Sequence, residues 1–335
     1  LTLAGGYGYL TGQYGLALDN LVQATIITAD GRTRTVSQTE NNDLFWAIRG
    51  GGGNFGVVTE FVLQLHPQRR TIFGGIAVFH PDALPKIVDT LTTWWNRGFS
   101  EKETIVHGVT VAPDGNPCTV LILFWNGSEE EGRLHFKPFF DIGPIKDGCC
   151  EMPYEELNGI QNAGLIHGNN YFMKGIFTSG PQQGVPQELL ARIRHLSAKH
   201  DLGLVTFFEY LPTRKVLSVP NSATAHIRGS RVSTLVVCTW AHSATDRLPT
   251  VRKAVNELVE IIRSSEKRLP ADTNTGYGNY IADEPAPGPN RAQESGSRVG
   301  ADVLFGENYP RLQQLKKEYD PMMIFARWCP ISPAA

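Results

Sequence analysis

The chain has 335 residues, 41% of them hydrophobic and 19% charged, with a formal charge of −2. That length suits roughly two domains with proper cores, and the near-neutral charge gives no electrostatic case for nucleic acid or an anionic membrane. No apolar run is long enough to cross a bilayer, and five cysteines with no CxxC pair, HExxH or His/Cys cluster make neither a disulfide scaffold nor a metal site.

Leu21 to Thr28 is rich in β-branched residues, and Ala29-Asp30-Gly31-Arg32 reads as a hairpin turn into Thr33 to Val36. A short helix, Asp43 to Ile48, and a strand, Val57 to Leu65, complete a compact unit that His66-Pro67 ends. The texture then changes. Strands are predicted at Ile72 to Phe79, Ile105 to Val111, Val120 to Trp125, Leu204 to Glu209 and Val232 to Thr239. Helical spacing marks Leu84 to Trp95, Glu129 to Phe140, Gln187 to His200 and Arg247 to Ser264. Antiparallel strands with helices grouped on one face are the layer solution for that order, so the fold class is α+β. Asp283 to Ser297 reads as a loop, and a last helix, Tyr309 to Glu318, stops before Asp320-Pro321. The sequon Asn126-Gly127-Ser128 is compatible with secretion and proves nothing by itself.

Two glycine clusters stand out, Gly5-Gly6-Tyr7-Gly8 and Gly50 to Gly53, the second followed by Asn54-Phe55-Gly56-Val57-Val58. Without a Cβ such residues adopt positive φ and let a ligand approach the backbone, and exposed N–H groups there suit a phosphate. The bland alternative is a flexible connector. No Gly-Lys-Ser/Thr follows, which disfavours a Walker A loop and with it nucleotide hydrolysis. The order helix, glycines, strand also differs from the strand–glycine–helix order of a dinucleotide fingerprint. A cradle for some other nucleotide cofactor remains.

Several segments carry a resemblance. Near the start they are Leu3-Ala4-Gly5-Gly6-Tyr7-Gly8, Gln13 to Val22, Thr28 to Arg32, and Asn42 to Arg49 before the glycines. Near the end they are Tyr277-Gly278-Asn279-Tyr280-Ile281-Ala282-Asp283, Phe305 to Tyr309, Leu312, Leu315-Lys316 and Tyr319 to Phe325. Together they resemble the berberine-bridge-enzyme-like branch of the vanillyl-alcohol-oxidase type of FAD-linked oxidoreductase. The match is dense at both ends and loose between about residues 69 and 200. The resemblance implies three parts: residues 1–68 as the second half of a PCMH-type FAD-binding domain, 69–272 as an antiparallel-sheet substrate domain, and 273–330 as a terminal segment returning to the FAD domain.

The resemblance further implies FAD as cofactor, while the residues themselves suggest no metal. Gly5, Gly6 and Gly8 would lie along the pyrophosphate or ribityl chain, Asn20 and Leu21 near the cofactor, and Gly53, Asn54, Gly56 and Val58 near the adenosine half, mainly through backbone groups. Asn279 would stand close to the isoalloxazine. Tyr277 matches the position that often supplies the catalytic base; a free tyrosine, with a pKa near 10, needs help to act as one at neutral pH. Tyr280 is the second candidate. On a strand, positions three apart face opposite ways, so only one of the two should face the flavin. The plain alternative is a strand tyrosine packed in the core. Glu209 is a possible partner that orients substrate or tyrosine, against a solvated strand end. His226 and Arg228 read as structural, Leu235 replaces a position that is polar in some members, and Lys174 is placed toward the substrate pocket or, more blandly, in solvent.

The implied activity is an FAD-dependent oxidase acting on an alcohol, sugar lactol or amine, with O2 as electron acceptor and H2O2 as product. The alternatives are a dehydrogenase of the same fold and a non-catalytic flavoprotein-like scaffold. A small-molecule substrate, O2 and a monomeric state are expected, with no nucleic-acid or membrane partner. The family's flavin-linking histidine and cysteine match no residue here, and Leu1 enters mid-motif. The expectation is therefore an N-terminally truncated fragment that binds FAD weakly or not at all, with activity in the complete gene product and targeting signals upstream.

Overall fold

The computed structural model describes residues 1–112, 114–242, 247–270, 274, 276–280 and 300–335. The chain divides into two compact units, Leu1–His66 with Thr213–Ser230 and Ala282–Ala335, and Pro67–Pro212 with Arg231–Ile281. The stretch Thr213–Ser230, which sequence reading leaves in the middle region, thus packs with the first unit, and Tyr277 and Tyr280 belong to the second.

In the first unit β1 (Leu21–Ile27), β2 (Thr33–Ser37) and β3 (Val57–Leu63) form an antiparallel sheet in the order β2-β1-β3. The predicted hairpin turn joins β1 and β2, with Ile27 opposite Thr33. The predicted short helix runs Asn42–Gly51, and every residue from Leu44 to Gly51 is buried. Such a helix has no polar face to show water, which is why its apolar residues do not follow a one-sided stripe. Leu44, Phe45 and Ile48 pack with Ala24, Ile26, Phe55 and, from the Tyr309–Tyr319 helix, Leu312 and Leu315.

The second unit carries an all-antiparallel sheet of eight strands. They are β4 (Thr71–Phe79), β5 (Glu103–Val111), β6 (Pro117–Trp125), β7 (Lys146–Asp147), β8 (Cys150–Pro153), β9 (Asn170–Thr178), β10 (Gly203–Tyr210) and β11 (Val232–Trp240). The order is β7-β4-β6-β5-β10-β11-β9, with β8 also on β4. Three helices, Leu84–Arg97, Val185–His200 and Leu248–Ser265, contribute to one large core with the sheet. Alternation decides which strand residues enter it: Leu204, Phe208 and Tyr210 on β10 and Val232, Val236 and Cys238 on β11 do so, while Val205, Phe207 and Glu209 stay half-buried on the opposite face.

Two readings change. The predicted Glu129 to Phe140 helix breaks at Phe136 into Glu129–His135 and Lys137–Phe140, because Pro138 can sit only in the first turn of a new helix. Strand β9 was not anticipated: its first half, Asn170–Lys174, is half-exposed to exposed and polar in part, which hides the strand pattern. The predicted loop Asp283 to Ser297 lies outside the described residues. The sequon residue Asn126 is paired through its side-chain amide with that of Gln68, at 2.8 and 3.2 Å. All five cysteines are free, and among the described residues no helix is long and apolar enough to cross a membrane and no group of three or more His, Cys, Asp or Glu could hold a metal.

Candidate active site

In the second unit the geometry begins with a missing side chain. A Cβ at Gly175 on β9 would stand 2.9 Å from the Cβ of Tyr280, and one at Gly276 would stand 2.4 Å from the carbonyl carbon of Gly175. Glycine at both places lets the segment 276–280 lie directly on the sheet. Asn274 fastens its start: the side-chain amide donates to Phe177 O at 2.7 Å and its Oδ1 accepts from Phe177 N at 2.9 Å, like a strand partner. The segment then turns rather than extends, with Tyr280 N donating to Tyr277 O at 2.8 Å and Gly278–Tyr280 forming a 3₁₀ turn.

That turn corrects the strand expectation. In a tight turn, residues three apart come together, so Tyr277 and Tyr280 do not diverge. Their rings meet edge to face at 5.1 Å and 86°. Asn279 Nδ2 donates to the Tyr277 hydroxyl at 2.5 Å, and Tyr280 donates its hydroxyl proton to Glu209 Oε1 at 2.7 Å. Glu209 is therefore no solvated strand end. Burial pushes its carboxyl above the ordinary 4.5, opposed in part by the bond from Tyr280. Burial, and then the neighbouring carboxylate, drive the Tyr280 phenol far above its ordinary range, so it is held as a neutral donor.

Leu235 lies on this same face, opposite Gly175 on one side and Phe207 on the other. Lys174 does not: its ammonium donates to Asn256 Oδ1 of the Leu248–Ser265 helix at 2.7 Å. One step along a strand reverses the face, and Lys174 is one step from Gly175. Sequence reasoning missed Gly175, Gly276 and Asn274. For Gly175 a signal existed, since a glycine inside a strand marks close backbone approach.

In the first unit the glycine run serves the protein's own packing more than an open cradle. A Cβ at Gly50 would meet the backbone of His226, one at Gly52 the ring of Trp328 at 2.3 Å, and one at Gly56 the carbonyl of Ile27. Gly8 and Gly53, by contrast, have nothing within 4 Å of that position. Asn54 is spent on the tail: its side-chain nitrogen donates to Gly51 O, Trp328 O and Cys329 O, and its Oδ1 accepts from Ile331 N. Asn20 is likewise committed, donating to Tyr14 O and Leu16 O while its Oδ1 meets His66 Nε2. The backbone carbonyls of Gly5 and Gly6 accept from Leu18 and Ala17.

Behind Asn54 stands a buried ion pair. Lys316 Nζ donates to Asp320 Oδ2 and Asn54 O, both at 2.6 Å, and to Phe325 O at 2.8 Å. Asp320 also accepts from Ile324 N and Phe325 N. Burial lowers the Lys316 pKa against the pull of Asp320; for Asp320 the donors outweigh burial, and its pKa falls too. Arg228 makes a forked pair with Asp19 at 3.0 and 2.5 Å, and the His226 ring lies against Tyr7.

An antiparallel sheet with a tyrosine-asparagine-tyrosine turn bonded to Glu209, and a glycine-rich α+β unit, are what the resemblance to flavin-linked oxidoreductases implies. Residues 299–328 match the family model described as "Berberine and berberine like". The chain is 33% identical over 353 residues to the FAD-linked oxidoreductase pgmH of Aspergillus terreus, covering 100% of this chain and 68% of that protein. The fold matches BBE-like #28 from Arabidopsis thaliana with a TM-score of 0.80 at 20% identity, covering 100% of this chain and 71% of that one. It also matches chitooligosaccharide oxidase with a TM-score of 0.79 at 22% identity, over 100% and 70%. The chain belongs to the berberine-bridge-enzyme-like family of FAD-linked oxidoreductases, and its cofactor is FAD.

Proposed function

We propose that the enzyme removes a hydride from an alcohol, sugar lactol or amine carbon while the carboxyl of Glu209 takes the proton from the neighbouring oxygen or nitrogen. The observation that carries this reading is the 2.7 Å bond from Tyr280 to Glu209, on the same turn that Asn279 and Tyr277 share. Bound FAD would supply the two-electron acceptor, taking the hydride at N5 and giving the electrons up to O2 as H2O2.

The rest falls to this chain's own side chains. Tyr280 holds Glu209 Oε1, and the carboxylate takes the substrate's proton; as the substrate O–H bond breaks, the carbon–oxygen double bond forms and the hydride departs. A carboxyl with a raised pKa is a better proton acceptor near neutrality than an ordinary one, and Tyr280 cannot compete because its own proton is held so tightly. Tyr277, oriented by Asn279, positions the substrate heteroatom. For the cofactor, the open sides of Gly8 and Gly53 fit a close backbone approach, flanked by Gly5, Gly6, Leu21, Gly56 and Val58. Asn20 and Asn54 can contribute only through their main chain, since their side chains are occupied.

The test is anaerobic mixing of the FAD-loaded complete protein with candidate substrates while the flavin absorbance is followed. Tyr277→Phe should slow bleaching and keep the absorbance of the bound flavin. If no alcohol, lactol or amine bleaches the parent protein, a non-catalytic scaffold replaces this reading.

A further inference from the structure

Strand β9 ends the large sheet, with β11 as its neighbour, and its outer edge holds the chain that returns from the Leu248–Ser265 helix. Along a strand the N–H and C=O of every second residue point to the same edge, so Ser179, Phe177 and Gly175 present theirs away from β11. The returning chain meets them in that order. Glu266 accepts from Ser179 N at 2.7 Å and from Ser179 Oγ at 3.0 Å, and the N–H groups of Arg268 and Leu269 fix it at 2.7 and 3.2 Å. Asn274, 9% exposed, takes both main-chain groups of Phe177. Gly276 then lies against the carbonyl of Gly175.

An asparagine amide carries a donor and an acceptor side by side, as a peptide group does, so Asn274 stands in for a paired strand. A carboxylate there would set an oxygen against Phe177 O, and a hydroxyl is too short to span both groups. Beyond this anchor come Tyr277 and Tyr280, which the 3₁₀ turn brings back over Gly175. From there Tyr280 reaches across to Glu209 on β10, two strands from β9, at 2.7 Å. A displacement of about 1 Å takes such a bond out of range, so the place where the turn is pinned decides whether it forms.

We propose that Asn274 is a positioning residue: by pinning the start of the tyrosine turn to Phe177, it keeps the Tyr280 hydroxyl on Glu209. Through that bond it governs the pH at which Glu209 takes up a proton. Burial raises the carboxyl's pKa, and the hydrogen bonds from Tyr280 and Ser233 pull it back; loosening the turn removes the first bond and leaves the second. From the turn, Glu209 meets Tyr280, with Tyr277 behind it. Its neighbours in register are Ser233 on β11 and Val106 on β5, and the Arg231 guanidinium lies over the Phe177 ring at 4.0 Å, on the strand beyond. The part Asn274 plays in turnover rests on the oxidation reading above; its hold on Glu209 does not.

An infrared pH titration of the FAD-loaded complete protein follows the Glu209 carboxyl band, assigned by its loss in Glu209→Gln. Asn274→Ala should raise the midpoint by about one pH unit, as Tyr280→Phe should. Added to Tyr280→Phe, Asn274→Ala should raise it no further, because the bond it acts through is already gone. A residue that only stabilises the fold would lower the melting temperature and leave the midpoint in place. Should Asn274→Ala not fold, Asn274→Ser, which keeps a polar group beside Phe177, carries the same comparison. An unmoved midpoint in the single variant, or an equal further rise in the Tyr280→Phe background, overturns the proposal. The two readings fail separately. Midpoints that behave as expected, with no alcohol, lactol or amine bleaching the flavin, sink the oxidation reading alone, whereas bleaching with a midpoint indifferent to Asn274 sinks this one.

Discussion

Glu209→Gln separates the proton-accepting role proposed for this side chain from its place in the structure. Glutamine keeps an oxygen for the Tyr280 hydroxyl, so the 2.7 Å bond and the turn above it are retained. What disappears is the ability to take a proton. A positioned general base contributes about 10²- to 10⁴-fold, or about 2.7 to 5.4 kcal/mol of barrier. Because the carboxyl is buried enough for desolvation to dominate its titration, bulk water is a poor substitute, and a loss of at least about a hundredfold in anaerobic flavin bleaching is expected. In the parent, the rate should fall as pH drops through the Glu209 pKa, which lies above 4.5; in the variant that limb should vanish. Stability should move the other way. A carboxyl whose folded pKa is raised favours the fold while protonated, and that advantage is lost as pH rises from the unfolded value through the folded one. At neutral pH the Gln variant should therefore resist denaturant at least as well as the parent. Retention of more than about a tenth of the bleaching rate, with the acid limb unchanged, would refute the assignment of Glu209.

Tyr280→Phe removes the bond that favours ionised Glu209, so the acid limb of the bleaching profile should shift to higher pH; a shift to lower pH would contradict the pairing. Lys316→Met strips a buried ammonium from Asp320, Asn54 O and Phe325 O and should cost about 3–5 kcal/mol in urea unfolding. Gly52→Ala, whose methyl would sit 2.3 Å from Trp328 at a φ of +64°, should destabilise by about 1–3 kcal/mol. Gly8→Ala has open space and should change stability by less than about 0.5 kcal/mol while weakening FAD binding in a fluorescence titration.

The strands and helices were legible wherever apolar residues kept one period. Leu204 to Glu209 and Val232 to Thr239 lengthen in the structure to Gly203–Tyr210 and Val232–Trp240; the first alternates between buried and half-buried positions, and the second is buried almost throughout. β9 was illegible because half of it is exposed. The glycine run was visible but its purpose was not: whether a missing Cβ admits a cofactor or a tryptophan depends on what folds back from some 270 residues away, and at Gly52 it is Trp328. The same limit hid the turn at Tyr277, where short-range spacing suited a strand and the approach to Gly175 decided otherwise. Asn54 and Lys316 were read only as motif letters; their bonds to each other's neighbourhoods explain why those letters occur together.

The bare position at Gly175 acts as a notch that admits Tyr280. A single methyl there would evict the phenol and leave the carboxyl below it untethered, without touching any reacting group. The proposed catalytic pair thus has a steric lock one atom wide, and redesign around it must leave that keyway empty.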